Sequence, residues 1–309
     1  MRALVTGVGG QDGFYLADRL LAEGVEVHGI VREGAAPPGV QAHRLDLAVD
    51  DPAPLLARLR PELVVNLAAI SSVWRSWQQP ELTAAVNGLA VARLLAATRE
   101  LAEGGSPVRF VQASSAEIFG AAAEAPQTER TRLEPTSPYG ASKAYAHHLV
   151  GACRGAGLSA SALILYNHES VRRPASFVSR KITSAAARIA RGSRERLELG
   201  NLDARRDWGW APDVADALLR AARAVEPDDY IVATGVTHSV REFAETAFAH
   251  VGLDWRDHVD VSEALIRPGD APEQVGDASR AREVLGWRPT MDFAGIVAAM
   301  VDADLAALD

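Results

Sequence analysis

Short blocks of consecutive apolar residues alternate, through the first half of the chain, with longer stretches whose apolar positions recur every three or four residues. The blocks at 2–6, 25–31, 42–45, 63–69, 108–113 and 161–166 have strand length. Helical spacing fills stretches between them, as at 14–23, 80–103 and from 138 onward. Leu63-Val64-Val65-Asn66-Leu67-Ala68-Ala69 is nearly all apolar, which suits a strand buried on both faces. Alternating strand and helix predicts an α/β fold with a doubly wound parallel sheet.

The pattern changes after residue 166. Residues 167–180 are polar and basic, and 181–191 return to helical spacing through Ile182, Ala185, Ala186 and Ile189. A short strand is expected at 197–199, a loop at 205–210, a helix opened by Pro212 and a strand at 230–233. Ser239-Val240-Arg241-Glu242 reads as a capping box. Arg267-Pro268 and Asp277 precede a further helix ending at Leu285-Gly286-Trp287. The organisation expected is residues 1–166 as a first domain and 167–309 as a smaller C-terminal α/β lobe, some of whose segments return to the first.

The glycines of Gly7-Val8-Gly9-Gly10-Gln11-Asp12-Gly13 stand between a strand and a helix with the spacing G-x-x-G-x-x-G. Gly7 permits a tight turn, Gly10 lets backbone approach a pyrophosphate, and Gly13 lets the helix lie close on the strand. This makes the first domain Rossmann-type and dinucleotide-binding. The second strand ends at Arg32 rather than at an acidic residue, which favours a 2′-phosphate and hence NADP(H) over NAD(H). Glu33, next to it, works against that phosphate. Asp46, before Leu47, either accepts from an adenine amino group or caps a helix. The small residues after Leu67, Ala68 and Ala69, pass close to a bound cofactor. Ser114-Ser115-Ala116-Glu117 ends a central strand, where open α/β sheets bind ligands.

Tyr139 and Lys143 lie four residues apart at the start of a helix, and so on one face of it. A lysine there is expected to lower the phenol's pKa from about 10 toward neutrality, making the tyrosine a base for a hydroxyl whose carbon loses hydride. Alone, this spacing is a weak signal.

Composition narrows the classes. The chain has 309 residues, 48% hydrophobic and 23% charged, with a net charge of −8. That argues against nucleic-acid or anionic-membrane binding. No apolar run reaches the roughly 20 residues of a spanning helix. The single cysteine, Cys153, forms no internal disulfide and is expected to serve packing, in keeping with a reducing cytoplasm. A first strand at residue 2 leaves no room for a signal peptide. No metal site is expected.

Together the glycine turn, Ser115 with Glu117, and Tyr139 with Lys143 resemble the extended short-chain dehydrogenase/reductase family. Within it, Gly10-Gln11-Asp12-Gly13, Gln112-Ala113-Ser114-Ser115-Ala116-Glu117, Asn167-His168-Glu169-Ser170, Phe177-Val178-Ser179-Arg180-Lys181-Ile182 and the stretch from Leu199 to Gly209 resemble the GDP-mannose 4,6-dehydratase family. The resemblance implies that Tyr139 takes the C4 hydroxyl proton as hydride passes to NADP⁺. Glu117 then removes the C5 proton, water leaves from C6, and the hydride returns to C6. Lys143 tunes Tyr139 and holds the nicotinamide ribose, and Ser115 hydrogen-bonds the C4 oxygen. Gln11, Asp12 and His168 join the cofactor contacts. A GDP-sugar is implied at Asn167, Arg180, Arg206 and Arg267, with Ser71, Arg173, Val178, Lys181, Gly200 and Asn201 around it.

Departures from the family are Ser115 for threonine, Ala116 for serine, Ile70 and Ser72 for glutamine and histidine, and Val171 for proline. Trp74 and Trp77 stand near the altered sugar pocket, and Asp270 stands in for an acidic residue after Arg-Pro. The loop after Arg32 is short, which implies a homodimer joined by a four-helix bundle rather than a tetramer. Three alternatives stand beside the dehydratase. One is a GDP-4-keto-6-deoxy-mannose reductase, which Ser71-Ser72-Val73, the Tyr139 to Lys143 stretch and the short loop resemble. Another is a dehydratase or epimerase for a different NDP-sugar. The third is a non-catalytic NADPH sensor, which the Tyr/Lys pair disfavours. Retained Glu117 favours the dehydratase over the reductase, which needs no C5 base.

Overall fold

The computed structural model describes residues 1–266 and 271–309, so Arg267 and Asp270 lie outside the described residues. In chain order the strands are β1 (Arg2–Thr6), β2 (Glu26–Val31), β3 (Gln41–Arg44), β4 (Leu63–Asn66), β5 (Arg109–Ala113), β6 (Ala160–Leu165), β7 (Asn167–Glu169), β8 (Leu197–Leu199), β9 (Arg205–Trp210), β10 (Asp229–Val232), β11 (Thr237–Ser239), β12 (Val259–Val261) and β13 (Glu273–Gln274). The helices are α1 (Gln11–Ala22), α2 (Ala53–Leu59), α3 (Val73–Gln78), α4 (Pro80–Ala84), α5 (Ala90–Glu103), α6 (Pro138–Gly155), α7 (Val178–Ala190), α8 (Ala211–Arg223), α9 (Val240–His250), α10 (Ser279–Val284) and α11 (Phe293–Ala306).

Apolar runs make the main sheet, with strand order β10-β6-β5-β4-β1-β2-β3. Every neighbouring pair in it is parallel. The order reverses between β1 and β4, so a crevice opens beyond their C-terminal ends. The sheet is buried on both faces, as its unbroken apolar runs predict. Val5, Val65, Val111 and Leu163 pack on one face with Leu16 and Leu20 of α1 and Leu218 of α8. Leu4, Val64 and Phe110 pack on the other with Leu56 of α2, Leu94 and Leu95 of α5 and Val150 of α6.

A second core joins α7, α9 and α11 around Trp208, Phe243, Phe248, Ile296 and Met300. It backs a four-stranded sheet of β7, β9, β11 and β13. Helix α9 begins at the expected capping box: Glu242 N–H donates to Ser239 Oγ at 3.0 Å, and Ser239 N–H donates to Glu242 Oε2 at 2.7 Å. Between the two halves the chain doubles back. Helix α8 lies against α1, with Arg19 and Asp216 paired at 2.6 Å, and β10 then adds to β6.

Two local expectations are corrected and one helix is added. The 80–103 helix is interrupted by a π-helical turn at Ala85–Leu89, which seats Asn87 so that it accepts from Ile70 N–H at 2.8 Å and donates to Ile70 O at 3.1 Å. The short helix α3 also went unforeseen. Residues 205–210 form β9 rather than a loop. Its central Asp207 is buried and accepts from Thr234 N–H, Thr234 Oγ and Gly235 N–H, so this strand is held by specific polar partners and shows no apolar alternation. Among the described residues no helix is long and apolar enough to cross a membrane.

Candidate active site

The glycine turn is built as its spacing requires. Gly7 has φ +64°, and a Cβ there would sit 2.8 Å from Ala68 N. A Cβ on Gly13 would sit 2.4 Å from Gly7 O, so any side chain would push α1 off β1. No side chain caps α1 at Gly10. The helix end thus presents backbone N–H groups and its dipole to the crevice, a fit for a pyrophosphate.

Beneath the crevice a buried polar ladder fixes the strand tips. Thr6 Oγ donates to Asn66 Oδ1 at 2.5 Å and accepts from the N–H groups of Leu67 and Ala68 at 3.1 and 3.0 Å. Asn66 Nδ2 donates to Gln112 Oε1 at 2.9 Å, and Gln112 Nε2 to Ala113 O at 2.8 Å. Lys143 Nζ donates to the same Ala113 carbonyl at 2.8 Å. The ladder therefore sets the height of the lysine against the ends of β4 and β5.

A cavity of about 430 Å³ runs from the glycine turn into the second half of the molecule. Gly7, Gly10, Gln11, Asp12, Gly13, Leu67, Ala68 and Ala69 line its cofactor end, with His168. Ser115, Glu117, Tyr139 and Lys143 line it together, with Ser115, Glu117 and Lys143 gathered around the Tyr139 ring. Ser71, Asn167, Val178, Gly200, Asn201 and Arg206 line the rest of it, and Arg173 lines it within reach of the charges of Asp12, His168 and Tyr139.

Five expected residues fall outside this cavity. Arg32 is exposed at the end of β2, its Nε 3.6 Å from Glu33. Asp46 Oδ1 accepts from Ala48 N–H at 3.0 Å, so its carboxylate closes a turn, and Leu47 is buried in the core. Arg180 is drawn to the buried carboxylate of Asp304 on α11 at 2.8 Å. Lys181 is exposed on α7. Sequence reasoning missed Trp208 and Gln274 as lining residues. Trp208 lay inside a quoted motif, whereas Gln274 sits on the two-residue strand β13 and carries no local signal.

The electrostatics correct one expectation. Burial pushes the Tyr139 phenol up to about 12; a hydrogen bond with Ser115 and the charge of Arg173 lower it, while those of Glu117 and Asp12 raise it. Burial also brings the Lys143 ammonium down to about 8, against the charge of Asp12. Lys143 Nζ stands 5.9 Å from the centre of the Tyr139 ring and is turned to Ala113, so the lysine alone does not lower the phenol.

A charged pair ties α1 to β7. His168 Nε2 lies 3.0 Å from Asp12 Oδ2, and its Nδ1 lies 2.7 Å from Tyr166 O. Both ring nitrogens face acceptors, which is the geometry of an imidazolium. Burial works against charge on both partners, but the charge and hydrogen bond of each on the other win: His168 is raised above 6.5 and Asp12 lowered below 3.8. The linkage signs follow. The His168 contribution is complete below 6.5 and is lost as pH rises through the raised value. The Asp12 contribution is complete above 3.8 and is lost as pH falls through the lowered value. Melting temperature is therefore expected to decline on the alkaline side of 6.5, and the His168→Gln variant to lack that decline. Parallel melting curves for the two proteins across this range would refute the pairing.

A Rossmann sheet, an open glycine turn and a Ser/Tyr/Lys cluster on the strand tips define a protein of the extended short-chain dehydrogenase/reductase class. The GDP-mannose 4,6 dehydratase family model matches residues 4–300, and the chain belongs to that family. It is 42% identical to GDP-mannose 4,6 dehydratase 1 of Arabidopsis thaliana over 98% of this chain and 89% of that protein. Among solved structures it resembles the UDP-glucose 4-epimerase of Thermus thermophilus in complex with NAD, with a TM-score of 0.87 and 29% identity over 99% of this chain and 100% of the other. It also resembles RMD from Pseudomonas aeruginosa complexed with NADPH, with a TM-score of 0.82 and 25% identity over 99% of both chains.

Proposed function

We propose that this chain is an NADP(H)-dependent GDP-mannose 4,6-dehydratase. The observation that carries the reading is the meeting of Ser115, Glu117, Tyr139 and Lys143 in one cavity, with the glycine turn at one end and the arginine-bearing segments at the other. Membership of the family and the name of the Arabidopsis relative supply the sugar nucleotide.

A bound nicotinamide supplies a reversible hydride acceptor and, when oxidised, a positive charge. The residues of this chain divide the proton work. Ser115, already bonded to the Tyr139 phenol, orients the C4 oxygen. Tyr139 accepts the C4 hydroxyl proton, its ionisation favoured by cations gathered around it: Lys143, Arg173 and the cofactor. Glu117, two residues beyond Ser115 on a short 3-10 turn, removes the proton at C5, which the C4 ketone acidifies. Glu117, now protonated, passes that proton to the C6 oxygen as it leaves as water, and C5 regains a proton from solvent as the hydride returns to C6. The cofactor ends as it began.

Incubation with GDP-mannose and NADP⁺ tests this. The expected product has lost one water, with no build-up of reduced cofactor. NADPH consumption by the 4-keto sugar, with GDP-mannose left untouched, would replace the dehydratase by a reductase.

The preference for NADP(H) rests on Arg32 at the tip of β2, and the RMD complex with NADPH supports it where the Thermus epimerase complex with NAD does not. Arg32→Ala is expected to weaken NADPH roughly tenfold, the scale of one charge-assisted contact, and to leave NADH unchanged. Equal losses for both cofactors in a fluorescence titration would remove Arg32 from the 2′-phosphate. A homodimer is also part of the reading. Leu89 and Tyr145 are half exposed on neighbouring helical turns, and Trp74 and Trp77 are exposed on α3. This apolar surface suits a copy of itself.

A further inference from the structure

Glu169, at the end of β7, is only 1% exposed, although it is a carboxylate with no place in the proton transfers above. Its Oε2 accepts from Ser179 Oγ at 2.6 Å and lies 3.1 Å from Arg173 Nε. The Arg173 contact is an ion pair rather than an aligned hydrogen bond. The guanidinium carbon stacks 3.7 Å above the Phe177 ring. Carboxylate and ring thus hold one edge and one face of a planar group. Both contacts are made away from the two terminal nitrogens, which form a fork on a separate edge of the group. Arg173 lines the cavity, and its charge reaches Asp12, His168 and the Tyr139 phenol. It therefore sits where the cofactor end and the sugar-nucleotide end meet.

A carboxylate this deeply buried needs a cation beside it, and Arg173 supplies one. An arginine side chain on an irregular segment otherwise has several rotamers open to it. We propose that Glu169 is a positioning residue: it holds the Arg173 fork toward a diphosphate, that of the dinucleotide cofactor or that of the sugar nucleotide. This deepens the function proposed above and rests on it for the identity of the two ligands.

The test is equilibrium binding, which needs no turnover. NADPH is titrated by its nicotinamide fluorescence and GDP by calorimetry, on the whole chain well below its melting temperature. Glu169→Gln keeps the size and the Ser179 hydrogen bond but removes the charge. It is expected to raise the dissociation constant of one ligand roughly tenfold, the size of a charge-assisted contact, and to leave the other within about twofold. A rise for NADPH assigns the fork to the cofactor, and a rise for GDP assigns it to the sugar nucleotide. In turnover the same ligand's KM rises while kcat at saturation changes little. Because Glu169 acts through Arg173, Glu169→Gln added to Arg173→Ala costs nothing more. Glu169→Asp, which keeps the charge but draws it back by one methylene, shifts affinity in the same direction and serves if Glu169→Gln does not fold. Unchanged dissociation constants for both ligands, or losses that multiply in the double variant, overturn the proposal. A wild-type chain that binds both ligands but does not dehydrate GDP-mannose overturns the dehydratase reading and leaves this one standing. One that binds neither overturns both.

Discussion

Glu117→Gln is expected to stop water loss from GDP-mannose while leaving NADPH and GDP binding nearly intact. Glu117 lines the cavity, and its charge is felt at the Tyr139 phenol, so its loss is expected to remove chemistry rather than affinity. Removing a positioned general base slows a step by roughly 10²–10⁴-fold, and glutamine cannot accept the C5 proton. The first half-reaction depends on Tyr139 and survives. Mixing this variant with NADP⁺ and GDP-mannose should therefore build up reduced nicotinamide absorbance, which the wild type does not hold. Solvent deuterium should no longer enter at C5. Dehydration at the wild-type rate would remove Glu117 from the base's role.

Tyr139→Phe tests the other half of the proton work and should give the opposite trace. Phenylalanine fills the same buried space at the start of α6, where the Tyr139 N–H is held by Ser76 Oγ at 3.1 Å, so the fold and the cavity persist. The missing oxygen takes the phenol from Ser115, which keeps the Glu117 N–H at 3.3 Å, and leaves the C4 hydroxyl without its base. Turnover is expected to fall by about 10²–10⁴, with no reduced cofactor appearing on mixing. The pH profile carries a second check. With burial holding the phenol near 12 in the protein alone, ionisation near neutrality must come from the charges assembled around the bound substrate. The rate of the wild type should therefore rise with pH with an apparent pKa several units below that value. A phenylalanine variant that turns over normally would reduce Tyr139 to packing.

The parts of the fold that were legible were those with one dominant local cause. The apolar block at 63–69 announced a strand covered on both faces, realised over Leu63–Asn66 with 67–69 passing on into the cavity wall, and the glycine spacing at Gly7, Gly10 and Gly13 announced close backbone approach. Ser239 and Glu242 announced a helix start from four residues. Strand β9 was hidden because Asp207, at its centre, is satisfied by Thr234 and Gly235 from another part of the chain. The π turn at Ala85–Leu89 was hidden because its cause is the distant backbone of Ile70. At the site, Ser115, Glu117, Tyr139 and Lys143 were readable as a set, but the pull of burial on Tyr139 and Lys143 was not. Periodicity says which face is inside; it does not say how dry the interior is. Arg180 marks the same boundary, since only the fold brings the Asp304 carboxylate to it.

The return of the chain through α8 to β10 has a consequence for anyone who would cut this protein in two. Residues 1–166 carry the glycine turn and the Tyr/Lys helix, and so look like a self-sufficient piece. Without β10, strand β6 becomes the rim of the sheet. Ala160–Leu165 is buried along its whole length, with Ala162, Leu163, Ile164 and Leu165 paired to β10 in register. Freed, it would offer a flat apolar row of open N–H and C=O groups to any other chain, the usual start of edge-to-edge aggregation. The second half of the sequence thus acts as a solubility cover for the first, and an expression boundary belongs beyond residue 232.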